Sequence, residues 1–171
     1  GLKAIELCAE LNTFVPGRLL DDDGAMLIRY EGDAKGVLTA SQIAVGEENA
    51  LKIRIYGTKG GLEWCQEEPN TMWMKWPDRP REMIRTSNGY MSEMAAHNSR
   101  TPGGHPEGYI EAFANIYRNF ALTLQAMKEG KEPSSLCLDF PSVQEGVRGM
   151  QFIETVVASS NSDKKWVKMV D

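Results

Sequence analysis

The apolar residues of this chain change their spacing once. Up to residue 85 they recur at every second position, and beyond residue 107 they recur at three and four. Alternation sends successive side chains to opposite faces of a strand, whereas the three-four spacing gathers them on one stripe of a helix. Strands first and helices later is the pattern of the α+β class. Short turns, without crossover helices, join the early strands and make them antiparallel neighbours. The expected fold is α+β: an open, mainly antiparallel mixed sheet with two long helices packed on one face.

The first strand sets Ile5, Leu7, Ala9, Leu11, Thr13 and Val15 against Glu6, Cys8, Glu10 and Asn12, and Pro16-Gly17 ends it. Residues 25–31 and 37–45 form a hairpin across Gly32-Asp33-Ala34-Lys35. Thr39, Ser41 and Gln42 interrupt the apolar run of its second arm, so one face there is wet or meets a partner. Leu51, Ile53 and Ile55 oppose Lys52, Arg54 and Tyr56 in the cleanest strand of the sequence. The run Gly57-Thr58-Lys59-Gly60-Gly61 turns the chain into 62–66, followed by strands at 71–76 and 82–85. Trp64, Trp73 and Trp76 are read as sheet packing, with Trp73 or Trp76 the candidates for a subunit interface.

Residues 86–107 form a loop long enough to suggest a functional role, with a helical turn near 92–97. Its end, Gly104-His105-Pro106-Glu107-Gly108-Tyr109, suits a helix start: Pro106 tolerates the first position and Glu107 meets the helix dipole. The helix over 107–129 carries Ile110, Phe113, Ala114, Tyr117, Phe120, Ala121 and Leu124 on a stripe expected to be core. Asn115 and Arg118 are expected to face away. A second helix from residue 141 carries Val143, Val147, Met150, Ile153 and Val157, with Gly146 and Gly149 read as points of close packing. The segment 166–169 can add an edge strand.

A net charge of −5 disfavours a nucleic-acid surface. No apolar run reaches membrane-spanning length and no signal peptide opens the chain, so no membrane partner is expected and a cytoplasmic location is. Cys8, Cys65 and Cys137 are odd in number and far apart, which speaks against a disulfide framework. His97 and His105 are the only histidines and stand outside any metal-ligand spacing, so no metal is expected. Hydrolase signatures are missing: Gly-x-Ser-x-Gly does not occur, and the carboxylate pairs lie in turns.

Residues 109–120 (YIEAFANIYRNF), 139–150 (DFPSVQEGVRGM) and 165–169 (KWVKM), in this order, resemble the C-terminal domain of the Gfo/Idh/MocA oxidoreductases. Residues 50–64 (ALKIRIYGTKGGLEW) are similar to the central hairpin of that domain. The resemblance implies NAD(P)-dependent chemistry on a sugar or polyol, with cofactor and catalytic groups on an N-terminal Rossmann domain. No Gly-x-Gly-x-x-Gly follows a strand here, and the family's Glu-Lys-Pro and Asp-x-x-x-His motifs do not occur. The expectation is therefore that residues 1–171 are a single C-terminal substrate and oligomerisation domain, with the Rossmann domain outside them. They would bind no cofactor and be inactive alone, NAD or NADP binding in the full-length parent. The resemblance further implies a homo-oligomer, a dimer through the open sheet face, with Met72, Trp73, Met74 or Trp76 as its apolar patch. The alternative is a non-enzymatic sheet-based binding or assembly module.

The share of the substrate pocket in this chain is expected at the 100–109 junction. His105 exchanges hydrogen bonds with hydroxyls near neutral pH, and Arg100 offers planar donors to a carboxylate or hydroxyl. Glu107 can accept from a hydroxyl, Gly103 and Gly104 permit close backbone approach, and Arg18 is a weaker addition. No catalytic residue is expected among them.

Overall fold

The structure is a computed structural model and describes residues 2–170. In chain order its regular elements are β1 (Ala4–Asn12), β2 (Asp23–Tyr30), β3 (Lys35–Ser41), β4 (Lys52–Tyr56), β5 (Gly61–Cys65), β6 (Thr71–Lys75), β7 (Glu82–Arg85), α1 (Glu93–His97), α2 (Tyr109–Lys128), α3 (Val143–Ser160) and β8 (Val167–Lys168). The α+β class holds. All strand pairs are antiparallel, and they fall into two sheets ordered β3-β2-β1-β8 and β4-β5-β6-β7. The chain divides accordingly into two compact units, residues 2–46 with 141–170, and residues 47–140.

In the first unit, alternation along β1 turns Leu7 inward, where it is 0% exposed against Met26, Ile28 and Val156. α3 crosses this sheet over β1. The edge strand β8 pairs only with Glu6 and Leu7, so the β1 ladder on that side stops early. Ser159 Oγ and Ser160 Oγ take over, accepting from Ala9 N at 3.0 Å and Leu11 N at 2.9 Å. Thr155 Oγ1 accepts from Val170 N at 3.1 Å. Thr155, Val156 and Ser159 are accordingly the buried residues of α3. This corrects the expected stripe: Val143 is 80% exposed, and Val147, Met150, Ile153 and Val157 are exposed as well. Gly146 and Gly149 face open space and make no close packing. Periodicity finds the apolar side of a helix, but an unpaired strand edge needs acceptors, and α3 turns its acceptors there.

β1 ends at Asn12, before the expected Thr13 and Val15, for a similar reason. The carboxylate of Asp22, 2% exposed, accepts from Phe14 N at 2.8 Å and Val15 N at 3.0 Å. These bonds pull the chain out of the ladder into the loop before β2. The backbone N–H of Phe14, joined by that of Val15 and by Arg18, holds the Asp22 carboxyl below its ordinary range against the opposing effect of burial.

In the second unit, cross-strand register aligns Ile53, Trp64, Met72 and Ile84 on one sheet face and Arg54, Glu63, Trp73 and Met83 on the other. Met72 and Met74 therefore share the face of Trp64, not that of Trp73. None of Met72, Trp73, Met74 and Trp76 is fully exposed, and Arg81 and Arg79 cover the Trp73 and Trp76 rings at 4.2 and 4.1 Å. On α2 the expected stripe is again exposed, with Ile110 at 77% and Tyr117 at 71%, while Asn115, Asn119 and Thr123 are the buried residues. Thr123 Oγ1 donates to the Cys137 carbonyl at 3.0 Å, fastening the turn 135–137 to the helix.

Two outcomes follow for stability. Leu7→Ala removes a side chain that cannot be replaced by solvent and should cost about 2–5 kcal/mol in a urea unfolding series. Asp22 has a depressed folded-state pKa, so its contribution is full above the ordinary aspartate range and is lost as pH falls through the folded value. Asp22→Asn should therefore lower the urea midpoint at pH 7 and flatten its further loss on acidification, read by comparing both proteins at pH 7 and pH 3.

Candidate functional site

The segment between β7 and α2 has little regular structure of its own, so side chains hold it in place. Ser92 Oγ caps α1 by accepting from Ala95 N at 3.3 Å. Glu107 closes the next stretch on itself: its carboxylate accepts from Arg100 N at 2.7 Å, Thr101 N at 3.0 Å and Thr101 Oγ1 at 2.9 Å. α2 begins only at Tyr109 with Gly108 as N-cap, so Pro106 and Glu107 precede the helix instead of opening it. Glu111 supplies the first-turn carboxylate, accepting from Gly108 N at 2.9 Å, and that N–H holds it below the usual glutamate range. A Cβ on Gly108 would stand 3.0 Å from Pro69 Cγ, so a larger residue where α2 meets the β5–β6 turn would require Pro69 to give way by a few tenths of an ångström. Gly104 has φ +88, a conformation that side chains disfavour.

Around this junction lie two concavities, both within residues 47–140. One is a cavity of about 470 Å³ beneath the first turns of α2, walled by Trp64, Phe113 and Ile116 and reached by Asn98, Asn115 and Asp139. The other is a shallower cleft of about 640 Å³ lined by Glu67, Glu68, Arg85, His105 and Glu111. Glu107 and Gly108 border both.

The expected residues have different fates. His105 is exposed in the cleft, its Nδ1 3.1 Å from the Pro102 carbonyl, a contact that requires Nδ1 to carry the proton. In the neutral imidazole Nε2 is then the acceptor, and the His105 carbonyl accepts from Asn70 Nδ2 at 3.1 Å. The Arg100 guanidinium donates back to the His97 carbonyl and lines neither concavity. Glu107 borders the site, but its oxygens are engaged with the loop. Arg18 belongs to the other unit, paired with Asp22 at 3.4 Å. Among the four, the structure brings together His105 and Glu107.

The residues that sequence reading missed are amides and one carboxylate. Asn98 is the hub: its Nδ2 donates to Asp139 Oδ2 at 3.1 Å, and its Oδ1 accepts from Asn119 Nδ2 at 2.9 Å. Asn115 Nδ2 donates to the Asn98 carbonyl, while Asn115 Oδ1 is buried without a partner. His97 Nε2 lies 3.0 Å from Asn119 Oδ1 and 3.1 Å from Arg118 Nη1, and a single tautomer serves one of them at a time. Two asparagines four apart inside a helix are costly to helix propensity, and that was the available signal. Asp139 opens the 139–150 segment that carries the resemblance, but nothing in its spacing marked it as part of a site.

Residues 1–63 match the family model described as GFO/IDH/MocA C-terminal domain. An uncharacterized oxidoreductase of Bacillus subtilis, YfiI, is 31% identical over 98% of this chain and 43% of its own length. The crystal structure of an oxidoreductase from Sinorhizobium meliloti superimposes with a TM-score of 0.91 at 42% identity, covering 98% of this chain and 47% of that one. An inositol dehydrogenase homolog from Azotobacter vinelandii, complexed with NADH and myo-inositol, gives 0.89 at 31% identity, covering 98% and 44%. The chain spans about half the length of the relatives it matches.

If Glu107 organises the loop, Glu107→Ala should free the Arg100 and Thr101 amides. Their hydrogen exchange should accelerate at least roughly tenfold while that of Leu7 and Ile28 stays unchanged, because lost bonds to a charged acceptor act locally.

Proposed function

We propose, for a chain that belongs to the Gfo/Idh/MocA oxidoreductases through their C-terminal domain, that the full-length protein is an NAD(P)-dependent dehydrogenase of a sugar or polyol. Residues 1–171 would be its single substrate-binding and oligomerisation domain, inactive alone. The observation that carries this reading is the likeness over 98% of the chain, at 31% identity, to a dehydrogenase homolog complexed with NADH and myo-inositol.

The residues present do not fit a dinucleotide. The glycine-rich stretch 57–61 is spent on a turn, Gly57 N donating to the Gly60 carbonyl at 2.8 Å between β4 and β5. The nicotinamide that accepts or returns hydride would be held elsewhere in the parent protein, by a Rossmann domain. The work of this chain would be to bind and orient. His105 Nε2 can accept from a hydroxyl entering the cleft, Glu107 keeps the loop in register, and the Trp64 and Phe113 walls exclude water from an apolar ring face. Association would use the sheet face of Arg54, Trp73 and Met83, where exposed Tyr56 adds apolar area.

The test is nicotinamide reduction at 340 nm by the full-length protein with NAD⁺ and NADP⁺ over a panel of sugars and polyols. Saturable turnover is expected for at least one pair, and none from residues 1–171. His105→Ala should raise KM about tenfold, the value of one substrate hydrogen bond. Failure to reduce either nucleotide with any member overturns the reading.

A further inference from the structure

We infer that the pair Asn88-Gly89 is a site of self-modification. There the chain converts its own asparagine to aspartate and isoaspartate, and so unfastens the turn that carries Arg85 and Thr86 to the candidate site. The inference stands apart from the oxidoreductase reading, because it concerns the turn's own chemistry. Asn88 is the only asparagine of the chain followed by glycine. Both residues are exposed, and a Cβ on Gly89 would meet nothing within 4 Å. The Gly89 N–H makes no backbone hydrogen bond among the described residues. Elsewhere the nitrogen that would have to react is engaged. Those following Asn70, Asn98 and Asn161 donate to carbonyls at 3.0, 3.2 and 3.1 Å, and those following Asn115 and Asn119 lie in the α2 ladder.

A glycine nitrogen that is free of a hydrogen bond and of a Cβ can reach the side-chain carbonyl carbon one residue back. The Gly89 nitrogen gives up its proton to solvent base and attacks Asn88 Cγ. The N–Cγ bond forms, the Cγ–Nδ2 bond breaks, and Nδ2 leaves as ammonia. The five-membered imide then takes up one water. Opening at Cγ gives aspartate, opening at the main-chain carbonyl gives isoaspartate, and nothing is oxidised or reduced. Two hydrogen bonds hold the amide back, from Asn88 Nδ2 to the Arg85 carbonyl at 3.2 Å and to the Thr86 carbonyl at 2.9 Å. Both are exposed and join uncharged groups, so they slow the reaction without stopping it.

The same two bonds set the consequence. Either product puts a carboxylate where a donor stood, and a carboxylate can only accept, so it repels the two carbonyls. The turn they close is strained: Ser87 sits at φ +60, in the left-handed region that side chains disfavour. Isoaspartate also adds a methylene to the main chain at a turn closed by Met91 N donating to the Asn88 carbonyl at 3.1 Å. Arg85 lines the cleft and Thr86 the cavity. Gly103 packs against this turn, where a Cβ would stand 3.1 Å from the Ser87 carbonyl oxygen, so the release reaches the segment before His105.

The experiment incubates the full-length protein at pH 8.5 and 37 °C for four weeks and follows it by peptide mass mapping, with electron-transfer fragmentation to tell aspartate from isoaspartate. A gain of one dalton is expected first in the peptide that contains Asn88, with both products present. Gly89→Ala fits the open space at that position and should slow the gain at least about tenfold, by crowding the attacking nitrogen. Asn88→Asp reproduces one finished product. It should accelerate hydrogen exchange of the Arg85 and Met91 amides at least about tenfold, while Leu7 and Ile28 stay unchanged. No gain at Asn88 in four weeks, an earlier gain at any other asparagine, or an undiminished rate in Gly89→Ala overturns the modification. Unmoved exchange in Asn88→Asp overturns its consequence for the turn.

Discussion

Buried backbone groups must be hydrogen-bonded, and in this protein the two long helices meet that requirement with side chains. α3 turns Thr155 and Ser159 inward, and Ser159 and Ser160 accept from the N–H groups of Ala9 and Leu11 beyond the reach of the two-residue β8. α2 turns Asn115, Asn119 and Thr123 inward, and these fasten Asn98 and the Cys137 carbonyl. Each such bond contributes about 0.5–1.5 kcal/mol, but removing one partner strands a buried group at higher cost. The short edge strand and the irregular loop persist because a helix supplies what a ladder would otherwise supply.

The candidate site inherits its order from this arrangement. Residues 86–108 contain only the five-residue α1 as regular structure. Glu107, Asn98 and Asn70 tie that segment to itself, to Asp139 and to the His105 carbonyl. A cavity with fixed walls needs such ties, since a binding loop free to move would lose affinity in ordering itself. Two buried atoms of this region, Asn115 Oδ1 and Ser87 Oγ, have no hydrogen-bond partner.

The apolar stripes of both helices remain largely exposed, from Ile110 and Tyr117 on α2 to Val143 and Val147 on α3. Hydrophobic periodicity thus identified real stripes but misjudged which side of each helix this chain buries. Strand existence, the hairpin turns, the start of α3 just after residue 141 and the closing strand were legible because each depends on residues a few positions apart. Glu107 was legible as a carboxylate at a helix start. Its role as the clasp of a loop was not, because its partners Arg100 and Thr101 approach only after the chain has doubled back.

By itself, the amino-acid order determined the α+β class, the antiparallel pairing of neighbouring strands and the family resemblance. Backbone periodicity and turn chemistry are local, and they are written within a few residues. The tertiary structure alone decided that the strands form two sheets, that the helices bury amides and hydroxyls, and that Asn98, Asn115 and Asp139 converge on one cavity. Those outcomes hang on closing long loops and on satisfying particular N–H and C=O groups left over when the ladders end. No spacing rule along the chain encodes which side chain will be near enough to do it.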